Sequence, residues 1–258
     1  MESVKVEVRR CEYKDVEVLR ELYRAETRCQ IWADSSLRRG YADPYLILLD
    51  GRLGGYGGVY NKYDPGRLTE YFVMPFAREH ALPMFRELLN VSKAIEIAAQ
   101  TNIPLLLMML YDCAHEIRTE KILFADTFTS VLPAPSGASF RAATETELAE
   151  QEGRGAEVSS PWVVELDGKI VGEGGFLTHY NPPYGDVFME VGEGARSRGF
   201  GSYLVQEVKR VCYNAGRVPA ARCSLENVAS RRTLEKAGLL PCGRILIGTL
   251  AREACART

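Results

Sequence analysis

One twenty-residue pattern recurs in this chain, and that recurrence constrains the fold more than any other feature. PYLILLDGRLGGYGGVYNKY (residues 44–63) and PWVVELDGKIVGEGGFLTHY (residues 161–180) each set an Asp-Gly pair between two strand-like runs. Asp-Gly in that setting signals a tight hairpin, because both turn positions take positive φ. The flanking segments repeat as well. SVKVEVRRC predicts a strand before the first hairpin, and DVEVLRELYRAETR, with apolar residues at helical spacing and Asp15 as a cap, predicts a helix. SFRAAT and ETELAEQE repeat that pair before the second hairpin, with Thr144 and Glu147 as a capping box. After the first hairpin come RLTEYFVM (strand), EHALPMFRELLNVSKAIEIAAQTN (helix) and IPLLLMML (buried strand). After the second come GDVFMEV (strand), GSYLVQEVKRVCYNAG (helix) and RVPAARCSL (strand). ENVASRRTLEKAGL, a helix stopped at Gly238, and the strand RILIGTL close the second series. The pattern is an internal duplication of an α/β unit. SVLPAPSGAS has linker composition and sets the boundary between Leu132 and Ala138, giving domains 1–132 and 138–258.

Composition excludes several function classes. The net charge of −2 in 258 residues offers no basic field for nucleic acid. Seven scattered cysteines without a C-x-x-C pair suit neither a disulfide framework nor a zinc site, and the histidines make no metal-ligand spacing. The start MESVKVEVRRC lacks the apolar core of a signal peptide, and IPLLLMMLY is too short to span a bilayer. The expectation is a soluble cytoplasmic protein, monomer or homodimer, with no membrane, nucleic-acid or metal partner.

ARSRGFGSYLV (residues 195–205) then stands out as a poorly composed helix start. Glycine weakens helices, and paired arginines oppose the positive end of the helix dipole. The segment sits where a strand ends and a helix begins, a usual place for ligands in open α/β sheets. Unpaired N–H groups at a helix start favour anions, and glycines let backbone approach a phosphate. Arginines fit there when a ligand supplies the opposite charge.

Downstream, Asn227 and Ser230 open a helix that closes on Gly238-Leu239. With Arg196, Gly199 and Gly201, which match [QR]-x-x-G-x-[GA], this pair of segments resembles the GNAT superfamily of acetyl-CoA-dependent N-acetyltransferases. The resemblance is specific over residues 138–250 and extends to the first half by order of elements. It implies two tandem GNAT-like domains, each a mixed, mostly antiparallel central sheet flanked by helices. It also implies that backbone N–H groups across Arg196, Ser197, Arg198, Gly199, Phe200, Gly201 and Ser202 hold the pyrophosphate of acetyl-CoA. Val191 would pair its backbone with the pantetheine arm, Asn227 would hydrogen-bond that arm, and Ser230 would line its path. Arg231 and Arg232 are either phosphate contacts or solvated helix arginines.

The first copy departs from the pattern. Its junction, VMPFAREHALPMF, has Arg78 but no glycines, and YDCAHEI follows its expected strand, so only the second domain is expected to bind acetyl-CoA. The first domain then has a structural role or forms a wall of the acceptor site. Transfer to an amine of a small molecule or peptide needs a base, for which Glu190 and Asp186 on the strand are candidates. The family's tyrosine acid falls at Leu234, which leaves water, Cys223, Ser224, Tyr180 or Tyr184 as substitutes, Tyr180 being the catalytic candidate. His179 is either an acceptor-site group or a surface histidine. CQIWADSSLRRGYADP, with Trp32 and Tyr41, is either a cap on the acceptor or a surface loop. The alternative is a non-catalytic acyl-CoA-binding module.

Overall fold

The computed structural model describes residues 4–26, 28, 29, 31, 35–153 and 160–250. Two compact units emerge, one of residues 1–121 with 243–258, the other of residues 122–242. Chain order is β1 (Val6–Arg10), α1 (Tyr13–Glu26), α2 (Ser35–Arg38), β2 (Ala42–Leu49), β3 (Arg52–Tyr60), β4 (Arg67–Val73), α3 (Ala81–Ser92), β5 (Glu96–Gln100), α4 (Pro104–Cys113) and β6 (Ala114–Asp126). The second series is β7 (Ala138–Ala142), α5 (Glu145–Gly153), β8 (Trp162–Leu166), β9 (Lys169–Leu177), β10 (Tyr184–Val191), α6 (Phe200–Asn214), β11 (Val218–Ser224), α7 (Val228–Lys236) and β12 (Leu239–Leu250). Apart from the short α2, the two series match element for element.

Both Asp-Gly turns form as the sequence predicts. Asp50 and Gly51 take φ of 49° and 76°, Asp167 and Gly168 take 49° and 73°, the all-positive pattern of a type I′ hairpin. The capping box forms too: Thr144 Oγ1 accepts from the Glu147 N–H (3.2 Å), and Glu147 accepts from the Thr144 N–H (2.7 Å). Asp15 caps α1 from its third residue, its carboxylate accepting from the Glu12 N–H at 3.0 Å.

Each unit is a mixed sheet. In the first, β1 to β4 are antiparallel neighbours, β4 and β5 run parallel, and β12 pairs antiparallel with β5 from Ile245↔Gln100 to Thr249↔Glu96. In the second, β7 to β10 are antiparallel neighbours, β11 lies parallel to β10, and β6 flanks β11. Helices cover the sheets. Met84, Phe85 and Leu88 of α3 enter the first core with Tyr71 and Phe72, while Leu204, Val205 and Val208 of α6 enter the second with Val164 and Val187.

The compact units do not divide at 132–138. The chain leaves the first unit within β6, after Lys121, and returns to it within β12, at Gly243. The closing strand of the second copy pairs with β5, so the units are not two contiguous halves. The linker segment instead docks on the second unit. Gln206 receives the Leu132 N–H at 2.6 Å and the Ser130 hydroxyl at 2.9 Å, and donates to the Leu132 carbonyl at 3.1 Å.

Two further expectations change. IPLLLMML is not a strand but most of α4, with Pro104 at its first turn, where a missing N–H costs nothing. A short apolar run has no period of its own to separate buried strand from buried helix. The strand in that stretch is Glu96–Gln100, inside the segment expected to be one long helix. The helix stops at Ser92 because Lys93 turns left-handed (φ 56°). Trp32 and residues 154–159 lie outside the described residues. Among the described residues no helix is long and apolar enough to cross a membrane.

Candidate active site

The site grows from a splay between two parallel strands. The β10–β11 ladder covers only Tyr184↔Val218 to Asp186↔Ala220, so the edge of β10 from Val187 to Val191 has no partner in β11. Alternation sorts the side chains along that edge. Position 185 faces α6, since a Cβ there would meet Cys212 Sγ at 2.8 Å, and Val187 packs with the α6 core. Asp186, Phe188 and Glu190 therefore face the opposite side.

The backbone leaves β10 through Gly192 and the 3-10 turn Glu193–Ala195. Two left-handed residues follow, Ser197 (φ 60°) and Gly199 (φ 90°), before α6 begins at Phe200. Gly199 is the N-cap and no side chain caps the helix. The Tyr203 N–H reaches the Gly199 carbonyl at 3.1 Å, so the N–H groups of Phe200, Gly201 and Ser202 precede the first helical bond. Exposed N–H groups beside left-handed residues form an anion-binding concavity. A Cβ at Gly201 would lie 3.2 Å from Thr233 Cγ2 and 3.4 Å from Val191 Cγ2, which accounts for glycine where α6 passes α7.

α7 forms the facing wall. Asn227 is its N-cap, Oδ1 accepting from the Ser230 N–H at 2.9 Å. The cleft between these elements has a volume of 680 Å³. Eight of the ten residues expected to bind acetyl-CoA line it: Val191, Arg196, Ser197, Gly199, Gly201, Ser202, Asn227 and Ser230. Arg198 and Phe200 are not among its lining. The Phe200 ring is in the core, with the Arg198 guanidinium 5.2 Å from its centroid. Val191 uses its carbonyl to accept from Arg196 Nε at 3.1 Å, fixing that arginine at the mouth of the cradle.

Sequence reasoning placed no role on Thr233 or Lys236, yet both line the cleft along with Arg232. Their spacing from Ser230 is the available signal, since residues three and four apart share a helix face. Arg231 instead pairs with Glu235 at 2.9 Å. Leu234, where a tyrosine was expected, is buried in the second core.

Of the three candidate acid–base residues, Glu190 lines the cleft and is exposed. Asp186 and Tyr180 do not line it. They converge on Arg222 of β11, whose Nε lies 3.2 Å from Asp186 Oδ2 and whose terminal nitrogen donates to the Tyr180 hydroxyl. The guanidinium carbon is 4.8 Å from the Tyr180 ring centroid. Burial pushes the Asp186 carboxyl up to about 6, outweighing the opposite pull of Arg222 and Tyr180. Nothing local marks Arg222 as a site residue beyond its being the one charged residue in the strand VPAARCS.

A family model described as "Acetyltransferase (GNAT) family" matches residues 123–239. No curated protein matches the chain. Among solved structures, a GNAT-family acetyltransferase from Colwellia psychrerythraea superposes with a TM-score of 0.74 at 15% identity, covering 95% of this chain and 100% of its own. A GCN5-related N-acetyltransferase from Sphaerobacter thermophilus gives 0.59 at 18% identity, covering 95% of each chain. A tandem GNAT protein from the clavulanic acid biosynthesis pathway gives 0.58 at 16% identity, covering 95% of this chain and 98% of its own. At these identities the structural likeness speaks for the fold. Residues 123–239 thus match the GNAT acetyltransferase family model, in a chain that carries the GNAT fold along 95% of its length.

Proposed function

We propose that the second unit transfers the acetyl group of acetyl-CoA to a primary amine of a small molecule or peptide. The observation that carries this reading is the left-handed pair Ser197 and Gly199, which opens an uncapped helix start onto a cleft continuous with the β10 edge. The residues fit the donor: unpaired N–H groups and Arg196 suit a pyrophosphate, and the β10 edge suits the amides of a pantetheine arm. Arg232 and Lys236 add positive charge on the facing helix.

Acetyl-CoA supplies an activated acyl carbon. The acceptor nitrogen bonds to that carbon, the carbon–sulfur bond breaks, the nitrogen loses a proton and the sulfur leaves as coenzyme A thiol. Glu190 acts as the base, directly or through water, because it stands on the cleft wall at the β10 edge. Backbone N–H groups of that edge are the donors for charge developing on the carbonyl oxygen. In this reading water returns the proton to the departing thiolate. The first unit, whose junction lacks the left-handed pair, does not bind the donor in this reading.

A second reading has one specific observation in its favour. Leu234 is buried where the family's acid is expected, as in a module that binds acyl-CoA without turning it over. Calorimetric titration with acetyl-CoA, joined to an amine and peptide panel scored by free thiol release, separates the two. Binding with turnover supports acyl transfer, binding without turnover supports the module, and no binding overturns both.

A further inference from the structure

We propose that the amine acceptor carries an anionic group, a carboxylate, and that Arg222 holds it. The proposal rests on the acyl-transfer reading and names its substrate class.

Arg222 sits where the splay starts to open. The last paired residues are Asp186 and Ala220, and Arg222 is two positions further along β11. Its bond to Asp186 places it on the face opposite α6, the face that also carries Phe188 and Glu190. Glu190 is in register with Glu173 on β9, so the two carboxylates share that face. Moving outward from the apex, this face therefore presents a guanidinium and then carboxylates. A continued register would set Arg222 across from Phe188, and Glu190 is two residues on, roughly 7 Å along the strand. A molecule with an anion at one end and an amine at the other matches that order of charges.

The guanidinium is also held as a binding group would be. Nε and one terminal nitrogen are fixed by Asp186 and Tyr180, and the Tyr180 ring lies beside the guanidinium carbon. The other terminal nitrogen makes no hydrogen bond among the described residues, and the side chain keeps 31% of its exposure while Asp186 keeps 8%. Arginine presents a planar fork matched to a carboxylate, and prior fixing reduces the entropy lost on binding. Asp186 and Tyr180 are then positioning residues for Arg222.

The test compares matched acceptors with acetyl-CoA saturating: an amino carboxylate, its carboxamide and the corresponding amino phosphonate, scored by thiol release. The wild-type protein should prefer the carboxylate over the carboxamide by about 10- to 100-fold in kcat/KM, the worth of a charge-assisted hydrogen bond. Arg222→Gln should bring that ratio close to one, mainly through KM, and Arg222→Lys should restore part of it. Preference for the phosphonate over the carboxylate would overturn the carboxylate assignment. A wild-type ratio near one, or a ratio unchanged in Arg222→Gln, would overturn the proposal while leaving acyl transfer standing. Acetyl-CoA binding with no turnover on any amine would overturn both. Should the variants fail to fold, the wild-type ratio still decides.

Discussion

Two strand exits, β4 to α3 and β10 to α6, begin alike and end differently. The residues that open their 3-10 turns share a backbone conformation, Met74 at φ −56°, ψ 143° and Gly192 at φ −55°, ψ 142°. In the first unit the turn Pro75–His80 then runs straight into α3, with no positive φ before Lys93. In the second, Ser197 and Gly199 interrupt the path and leave α6 starting from a concavity. Two left-handed residues separate a continuous helical path from an uncapped helix start.

The strands behind these exits differ in the same sense. β4 carries Glu70, 2% exposed, which takes Arg20 in two bonds of 2.9 and 2.7 Å and the Tyr56 hydroxyl at 2.7 Å. That cluster is buried, with Arg20 at 0% and Glu70 at 2% exposure. β10 carries Asp186, whose arginine partner keeps an open edge. One ion pair is buried in its unit's interior, and in the other the arginine keeps 31% of its exposure.

The sharpest way to break this comparison is to count donor sites. One acetyl-CoA should bind per chain, and Gly201→Glu should take the count to zero, a loss beyond about a thousandfold or roughly 4 kcal/mol. The added side chain and charge enter the cradle where Thr233 and Val191 already lie close. Calorimetry that finds two sites, or one site surviving in Gly201→Glu, would show that the first unit binds the donor. The melting curve of the variant checks that it folds.

Next in size is the closed pair. Glu70→Gln takes the Glu70 charge away from the buried Arg20 guanidinium, at a cost of about 3–5 kcal/mol. A denaturant midpoint that drops accordingly, with donor affinity unchanged, supports a purely structural role for the first unit's cluster. Arg20→Met with Glu70→Leu should recover much of the loss, since a buried ion pair is often replaceable by apolar side chains.

How much of this was legible in the sequence follows from what each signal depends on. The Asp-Gly hairpins and the Thr144–Glu147 box are local, fixed by a few residues whose φ or hydrogen bonds admit little else, and they form as written. The junction before α6 is local in the same way, its glycines marking where the strand exit turns into the helix. IPLLLMML was not, because an unbroken apolar run carries no polar residues to mark the period that distinguishes helix from strand. The division of the chain was not, because pairing of Ile245–Thr249 with β5 is a long-range choice that no local residue announces. Arg222 was missed because its meaning comes from Asp186 and Tyr180, distant in sequence and adjacent only once β10 and β11 pair.

The open pair predicts a pH dependence of its own. Asp186 titrates at about 6 in the folded chain, above its ordinary 3.8, with burial as the leading cause. Between these values the folded state holds more protons than the unfolded one, so this group's contribution is full below about pH 4 and is lost as pH rises through 6. The expected difference is about 2–3 kcal/mol, seen as a wild-type slope that Asp186→Asn removes. A slope of opposite sign, with Asp186 contributing more at pH 7 than at pH 4, would mean that Arg222 dominates and that the pair is as closed as Arg20–Glu70.

The smallest effect distinguishes backbone from side chain within the cradle itself. Gly199 holds φ 90° with nothing within 4 Å of the site of a Cβ, so Gly199→Ala meets no neighbour and costs only the left-handed conformation, about 1 kcal/mol. Ser197 already bears a side chain at φ 60°, and Ser197→Ala keeps that cost unchanged, so stability should stay within about 0.5 kcal/mol. The same pair should separate in binding. If directed N–H groups hold the donor, Gly199→Ala weakens acetyl-CoA by tilting the peptide that starts α6, while Ser197→Ala leaves affinity near the wild-type value. Equal losses in the two variants would mean that the Ser197 hydroxyl, and not the turn, is what separates this junction from the one after β4.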